Sequence, residues 1–189
     1  MTTVWQYKPR RHTGVRMMLD ANVISARQKD AFVSQLELWR DDEVIQVLMS
    51  EVANEEASQG GNETRREKAA SIISTNSWNS ADEARGLRAS IAAAIFPNAA
   101  LTEQDNRDVE IVYEAAKWHS ILVTNDGLSK KQPRGILGSW RELAESGVTV
   151  MRPADAVALA RQKIAERDTL VSAICRATGT PVPDWVGKD

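Results

Sequence analysis

Val-Arg-Met-Met-Leu-Asp-Ala-Asn-Val-Ile, residues 15–24, is the stretch of this chain that most constrains its fold. The apolar run from Val15 to Leu19 predicts a short strand of the kind that is buried in a parallel sheet. Polarity arrives abruptly at Asp20, so we expect this carboxylate at the carboxyl end of the strand. Ligands of parallel sheets bind beyond that end, which makes Asp20 the first candidate functional residue.

The rest of the chain alternates between apolar strands and amphipathic helices. Further strands are predicted at 44–49, 120–124 and 147–151, and helices at 28–40, 50–60, 65–74, 81–96, 102–119 and from Pro153 to about Ala177. Asp30, Ser50 and Thr102 are predicted to cap three of these helices, the glycines at 60–61 to end the second, and residues 127–138 to form a basic loop. This alternation implies βαβ units and a mostly parallel sheet that is covered by helices on both faces. We therefore expect one α/β domain at 15–152, preceded by an extension at 1–14 and followed by a long C-terminal helix and tail at 153–189.

Composition excludes several classes of protein. The chain has 189 residues, 42% hydrophobic and 26% charged, which is typical of a globular domain rather than a disordered or fibrous one. No apolar stretch approaches the roughly 20 residues of a membrane span, and residues 1–15 lack the apolar core of a signal peptide. We therefore expect a cytoplasmic protein without membrane contact. One cysteine rules out an intramolecular disulfide framework and a cysteine-rich zinc site, and the presence of only two histidines argues against a His-rich metal site or a two-histidine nuclease.

Three further acidic residues are expected near Asp20. Asp126 follows the strand at 120–124 directly, and Glu56 follows the strand at 44–49 within the next helix. A helix from Asp108 to His119 is about 17 Å long, and the chain from 120 to 126 runs back roughly 20 Å. This return path places Asp126 beside Asp108. Several like charges in one cleft are tolerated when a cation neutralises them, so the four acids predict a site for a divalent metal.

Helix faces support the choice of these acids. Asp108 precedes Ile111 and Val112 by three and four residues, which places it on the inward side of its helix. Glu56 shares a face with Val52, whereas Glu55 shares one with polar neighbours, so Glu56 is the better inward candidate.

Each acid also has an ordinary structural explanation when it is taken alone. Asp20 and Asp126 could be turn residues, since Asp-Gly at 126–127 is a common turn pair. Asp108 could complement the helix dipole, and Glu56 could be a solvated helix residue. Asp105, one turn before Asp108, could be a fifth acid or a helix cap.

The set of motifs resembles the PIN domain, the nuclease fold of many bacterial VapC-type toxin ribonucleases and of several RNA-processing enzymes. Residues 19–24 resemble its first motif, 50–60 its second, and 108–111 with 122–126 its third and fourth. The resemblance spans about residues 17–151. Ala21 departs from the pattern, because serine or threonine is commoner there.

The resemblance implies a three-layer α/β/α fold, a requirement for Mg²⁺ or Mn²⁺, and hydrolysis of RNA phosphodiester bonds. It also implies the metal ligands, direct or through water, which are Asp20, Asp108 and Asp126. Glu56 would be a ligand or would orient the attacking water, with Glu55 and Asp105 as supporting acids. Asn22 and Thr124 would hold the ligands by hydrogen bonds. A toxin of this type would be paired with an antitoxin protein.

Basic residues must guide RNA past an acidic cleft. The best candidates are those of the loop after Asp126, namely Lys130, Lys131 and Arg134. Two other basic groups, 65–68 and 8–11, are interpreted as solvated surface.

Tryptophans in helical patterns, including Trp39 and Trp118, are expected in the core rather than against RNA bases. Trp185 could anchor the tail or contact another chain, and the helix from Pro153 could pack on its own domain or support a homodimer.

Three functions other than a nuclease require sequence features that can be looked for in this chain. A receiver-type signalling domain would have adjacent acids after an early strand, and a haloacid dehalogenase-type phosphatase would have Asp-x-Asp, whereas residue 22 is Asn. A PIN-like module that binds RNA or a protein partner without cutting is the stronger alternative, and Ala21 keeps it open.

Overall fold

A computed structural model describes residues 9–24, 30–59, 62–75, 81–97, 100–128 and 134–189. The described strands are β1 (Arg16–Leu19), β2 (Gln46–Ser50), β3 (Ile73–Thr75), β4 (Ile121–Val123) and β5 (Val150–Met151). The helices are α1 (Ala31–Asp41), α2 (Glu51–Ser58), α3 (Glu63–Ala70), α4 (Ala81–Ile95), α5 (Glu103–Lys117), α6 (Gly135–Gly138), α7 (Trp140–Glu145) and α8 (Pro153–Thr178).

All five strands form one parallel sheet in the order β3-β2-β1-β4-β5. β1 lies at the centre. Its consecutive residues Met17 and Met18 point to opposite faces, and neither exposes any surface, so helices cover both faces there. The α/β class and the parallel sheet predicted from sequence are therefore confirmed. Because β1 and β4 are neighbours in register, Leu19 opposite Val123, the residues that follow them emerge side by side.

Local capping explains where several helices begin. Asp30 accepts hydrogen bonds from the backbone N–H groups of Phe32 and Val33 and starts α1. Ser50 accepts one from Ala53 and starts α2 at the very end of β2. Thr102 starts α5. These short-range bonds satisfy backbone donors that a helix leaves without internal partners, and all three caps were predicted.

Two element predictions were wrong in part. The helix predicted at 65–74 ends at Ala70, and Ile73–Thr75 forms β3 instead, because Ile73 pairs with Leu48 of β2. The loop predicted at 127–138 contains the short helix α6. The predicted glycine breaker at 60–61 lies outside the described residues.

Of the two tryptophans named above, one is buried as predicted and the other is exposed. Trp39 is 2% exposed and belongs to the core, as predicted. Trp118 is 36% exposed, because it follows the last turn of α5 at the end of the sheet opposite the acids, so the prediction that it is buried was wrong.

The C-terminal helix packs on its own domain, against α1 and β5. Its buried face includes Arg167, whose guanidinium lies 4.6 Å from the ring of Trp185 and pairs with Asp168 and Asp189. Trp185 therefore anchors the tail to the helix. Arg11, from the predicted basic arm, also pairs with Asp189, so this cation contributes to the internal packing of the termini. Within the described ranges, no helix is both long and apolar enough to cross a membrane.

Candidate active site

Asp20 lies directly after β1 and is 5% exposed. Its backbone N–H donates to the carbonyl of Val123 at 3.0 Å, which joins the ends of β1 and β4. Its Oδ2 accepts hydrogen bonds from Thr124 Oγ1 at 2.6 Å and from Asn22 Nδ2 at 2.7 Å. The carboxylate is thus fixed in one orientation by the two residues that the resemblance names as supports.

The hydroxyl of Thr124 links two of the acids. It donates to Asp20 and accepts a hydrogen bond from the backbone N–H of Asp126 at 2.9 Å. Asn22 fixes the same turn from the other side, because its Oδ1 accepts from the backbone N–H of Asn125 at 3.0 Å. Thr124 exposes no surface, so the hydroxyl at the centre of this network is shielded from water, whereas Asn22 and Asn125 at its edge are exposed.

Asp126 is held by the segment that closes the loop after it. Its Oδ2 accepts a hydrogen bond from the backbone N–H of Ile136 at 2.9 Å. Gly127, at φ +93°, and Gly135, at φ +59°, pack backbone against backbone. A Cβ on Gly127 would lie 2.0 Å from the carbonyl oxygen of Arg134, and one on Gly135 would lie 2.7 Å from Asp126 Oδ2. Both glycines are therefore required for this close approach.

Asp108 faces the same edge from the second turn of α5, so the outward helix and returning strand meet as predicted. Burial, together with the negative charges of Asp126, Asp20, Glu56 and Asp105, raises its pKa to about 7. The pKa of Asp20 is raised to about 6, because burial and the charges of Glu56 and Asp126 outweigh the hydrogen bond from Thr124, which lowers it. The structure therefore brings the four principal acids close enough to repel one another.

Glu56 is the inner of the two neighbouring glutamates, since its side chain is 19% exposed and that of Glu55 is 58% exposed. Its partner is Arg107 of α5, whose Nε donates to Glu56 Oε1 at 2.9 Å. Asp105 is engaged differently, because its Oδ2 accepts hydrogen bonds from the backbone N–H and the hydroxyl of Thr102. Asp105 therefore acts as half of a capping box.

The acids suit a hard divalent cation in chemistry, because carboxylate oxygens are the preferred ligands of Mg²⁺ and Mn²⁺. Among the residues that the structure describes, no three acidic, histidine or cysteine side chains form a compact group ready to chelate one ion. The donor set therefore fits a cation that one or two carboxylates hold directly while water completes its shell, as Mg²⁺ favours.

Two arginines that were not assigned to the site lie beside it. Arg107 contacts Glu56, and Arg65 donates from Nη2 to the carbonyl oxygen of Ala21 at 3.1 Å. The interpretation of Arg65 as solvated surface was wrong, since its Nε is buried. No sequence pattern marked either contact, because both join residues from separate elements. Of the loop candidates, Arg134 is exposed beside the site, whereas Lys130 and Lys131 lie outside the described residues.

This chain is thus an α/β protein with a parallel five-stranded sheet and a group of carboxylates at the carboxyl edge of that sheet. No family model matches the chain, and no curated protein matches it. Two solved structures are similar to it in fold. One is a PilT N-terminus domain protein from the hyperthermophilic archaeon Sulfolobus solfataricus P2, at 12% identity and a TM-score of 0.42, covering 77% of this chain and 93% of that one. The other is VapBC2 from Rickettsia felis bound to a DNA fragment from its promoter, at 14% identity and a TM-score of 0.45, covering 73% of this chain and 98% of that one.

Proposed function

We propose that this protein is a PIN-like, divalent-metal-dependent endoribonuclease. The observation that supports it is the set of four acids at the carboxyl edge of the sheet, two of which have pKa values near neutrality because they are buried beside one another. Such crowding costs stability, and a cation that neutralises the site compensates that cost.

Asp20, Asp108 and Asp126 would hold Mg²⁺ or Mn²⁺ directly or through water. The bound cation would lower the pKa of its water and neutralise charge that develops on the phosphate. Thr124 and Asn22 keep the Asp20 carboxylate aimed at the site, and the N–H of Ile136 does the same for Asp126. Glu56 would be a further ligand or would orient the attacking water.

RNA is the proposed substrate, guided by Lys130, Lys131 and Arg134 after Asp126, with Arg65, which contacts the carbonyl of Ala21, as a further candidate. We further propose that the protein acts in the cytoplasm as the toxin of a toxin-antitoxin pair, with an antitoxin as its protein partner and a homodimer as its assembly.

Ala21 bears on the alternative of a non-catalytic module. The residue is 3% exposed and belongs to the core. Because alanine has no hydroxyl, the side chain at this position cannot donate a hydrogen bond to the site. Thr124 supplies a hydroxyl to Asp20 from the neighbouring strand end instead. The Asp20 carboxylate is thus held in place without a hydroxyl at position 21, which favours a working nuclease over the binding module.

The test is cleavage of mixed single-stranded and structured RNA by the purified full-length protein with Mn²⁺ or Mg²⁺, and in chelator. We expect cleavage that requires metal and that Asp20→Asn or Asp126→Asn abolishes. Asp41→Asn, at an exposed position of α1, is the matched control and should remain active. Full activity in both site variants would overturn the proposal, whereas RNA binding without cleavage in wild type would favour the module.

A further inference from the structure

Arg107 lies one position before Asp108 and reaches from α5 to α2. Its Nε donates to Glu56 Oε1 at 2.9 Å, and its Nη2 donates to Glu55 Oε2 at 3.3 Å. Gln104, one turn earlier on α5, also donates to Glu56 Oε1, at 3.3 Å. The Arg107 side chain is 25% exposed, so this pair is partly shielded from solvent. Glu56 is thus held towards α5 by two donors.

The negative charge of Glu56 also acts on Asp20 and Asp108. A divalent cation at the aspartates would therefore attract the Glu56 carboxylate. The same cation would repel the Arg107 guanidinium, which holds that carboxylate in the structure. One carboxylate thus has two competing positive partners. The competition is strong because charges in a partly shielded site interact at a lower effective dielectric constant than in water.

We propose that Arg107 is the resident counter-cation of the acid cluster, that it competes with the divalent metal for Glu56, and that its released guanidinium binds an RNA phosphate. This inference rests on the proposed metal-dependent function. The planar fork of arginine matches the oxygens of a phosphate as well as those of a carboxylate. Because Arg107 contacts Glu56, whose charge acts on both Asp20 and Asp108, a phosphate bound at these aspartates would lie near the Arg107 guanidinium. Arg107 is therefore a positioning residue for substrate as well as a partner of Glu56.

The chain offers a matched control for the loss of an interhelical arginine pair. Arg88 of α4 donates from Nε and Nη2 to Glu110 of α5, at 2.6 and 2.7 Å. Arg88→Gln also removes one positive charge from an arginine–glutamate pair between two helices, but it leaves the acids of the site unchanged. Arg107→Lys keeps the charge but loses the fork.

Mn²⁺ binding to the metal-free, full-length protein is the first measurement, by isothermal titration calorimetry at low salt. Removing a unit positive charge beside a divalent ion should tighten binding about tenfold in Arg107→Gln. Arg107→Lys should stay near wild type, and Arg88→Gln should change by less than about twofold, since its pair lies apart from the acids.

Kinetics on a mixed-sequence single-stranded RNA at saturating Mn²⁺ are the second measurement. Arg107→Gln should raise KM about tenfold with little change in kcat, because a charge-assisted contact to substrate is lost. Arg107→Lys should restore part of that loss.

If Arg107→Gln binds Mn²⁺ no more tightly than the wild type does, the inference is overturned. The proposed function is unaffected by that result as long as the wild-type protein binds Mn²⁺. Equal changes in Arg107→Gln and Arg88→Gln also overturn it, since they would reveal a general loss of helix packing. Failure of the wild type to bind Mn²⁺ overturns both proposals.

Discussion

Replacing Asp20 with asparagine should stabilise the metal-free protein at pH 8 while it abolishes RNA cleavage. Burial raises the pKa of this carboxyl from an ordinary value of 3.8 to about 6, so the ionised form is disfavoured by the fold. Asparagine has nearly the same shape and carries no charge. The variant therefore removes the electrostatic cost and the proposed metal ligand together.

The sign and size of the effect follow from proton linkage. Below pH 3.8 the folded and unfolded chains both hold the proton, so the carboxyl costs nothing. As the pH rises, the unfolded chain loses its proton first, and stability falls until the folded protein has also ionised, above about pH 6. The difference between 3.8 and about 6 corresponds to about 3 kcal/mol, and about half of it has been lost by pH 5.

The asparagine amide also has a cost, because its NH₂ group replaces a carboxylate oxygen at a buried position. The amide oxygen can take the place of Asp20 Oδ2 and accept from both Thr124 and Asn22, but the NH₂ group brings new donors that need acceptors. A buried donor without an acceptor costs about 1–2 kcal/mol at every pH. We therefore expect little net change at pH 5 and a gain of about 1–2 kcal/mol at pH 8.

Urea unfolding in chelator at pH 5 and pH 8 measures this difference directly, with Asp41→Asn as the exposed control. The relative stability of Asp20→Asn over wild type should increase by about 1.5 kcal/mol between the two pH values. A difference that stays constant or decreases with pH would refute the reasoning, because it would show that ionised Asp20 carries no cost in the fold. Added Mn²⁺ should raise the stability of wild type more than that of the variant.

Three other substitutions test the supports of the site and of the tail. Thr124→Val should lower the free energy of unfolding by about 1–2 kcal/mol and reduce Mn²⁺ affinity, whereas Thr124→Ser should retain both, as measured by urea unfolding and calorimetry. Gly135→Ala should destabilise the protein by at least about 1 kcal/mol and should weaken Mn²⁺ binding. Gly179 has a similar positive φ but open space around it, so Gly179→Ala should lower stability without changing Mn²⁺ binding. Arg167→Met should destabilise by about 2 kcal/mol and should alter Trp185 fluorescence, because the variant removes the guanidinium that contacts the Trp185 ring and pairs with Asp168 and Asp189, while Arg11 still pairs with Asp189. Unchanged fluorescence would contradict the described tail contact.

Local patterns in the sequence predicted the elements that depend on neighbours along the chain. The apolar run before Asp20, the caps at Asp30, Ser50 and Thr102, and the alternation of strands and helices were each readable from short segments. Their physical basis is also local, since capping bonds and strand burial involve residues a few positions apart.

Non-local pairing accounts for the predictions that failed. Helical spacing around Ile73 predicts a helix, but Ile73 lies in a strand because it pairs with Leu48 across the sheet. The basic run around Arg65 predicts a solvated surface residue, yet Arg65 contacts the carbonyl of Ala21, 44 positions away. No periodicity in either segment encodes such a partner.

The sequence by itself determined a parallel α/β fold and which acids would stand at its carboxyl edge, because strand ends, helix faces and chain reach are set by residue spacing. Only the tertiary structure decided the electrostatic state of that edge. Burial and mutual repulsion raise the pKa values of Asp20 and Asp108 to about 6 and about 7, and Arg107 holds Glu56 from another helix. These effects depend on distances between charges and on their removal from water, and both arise only when separate elements pack together.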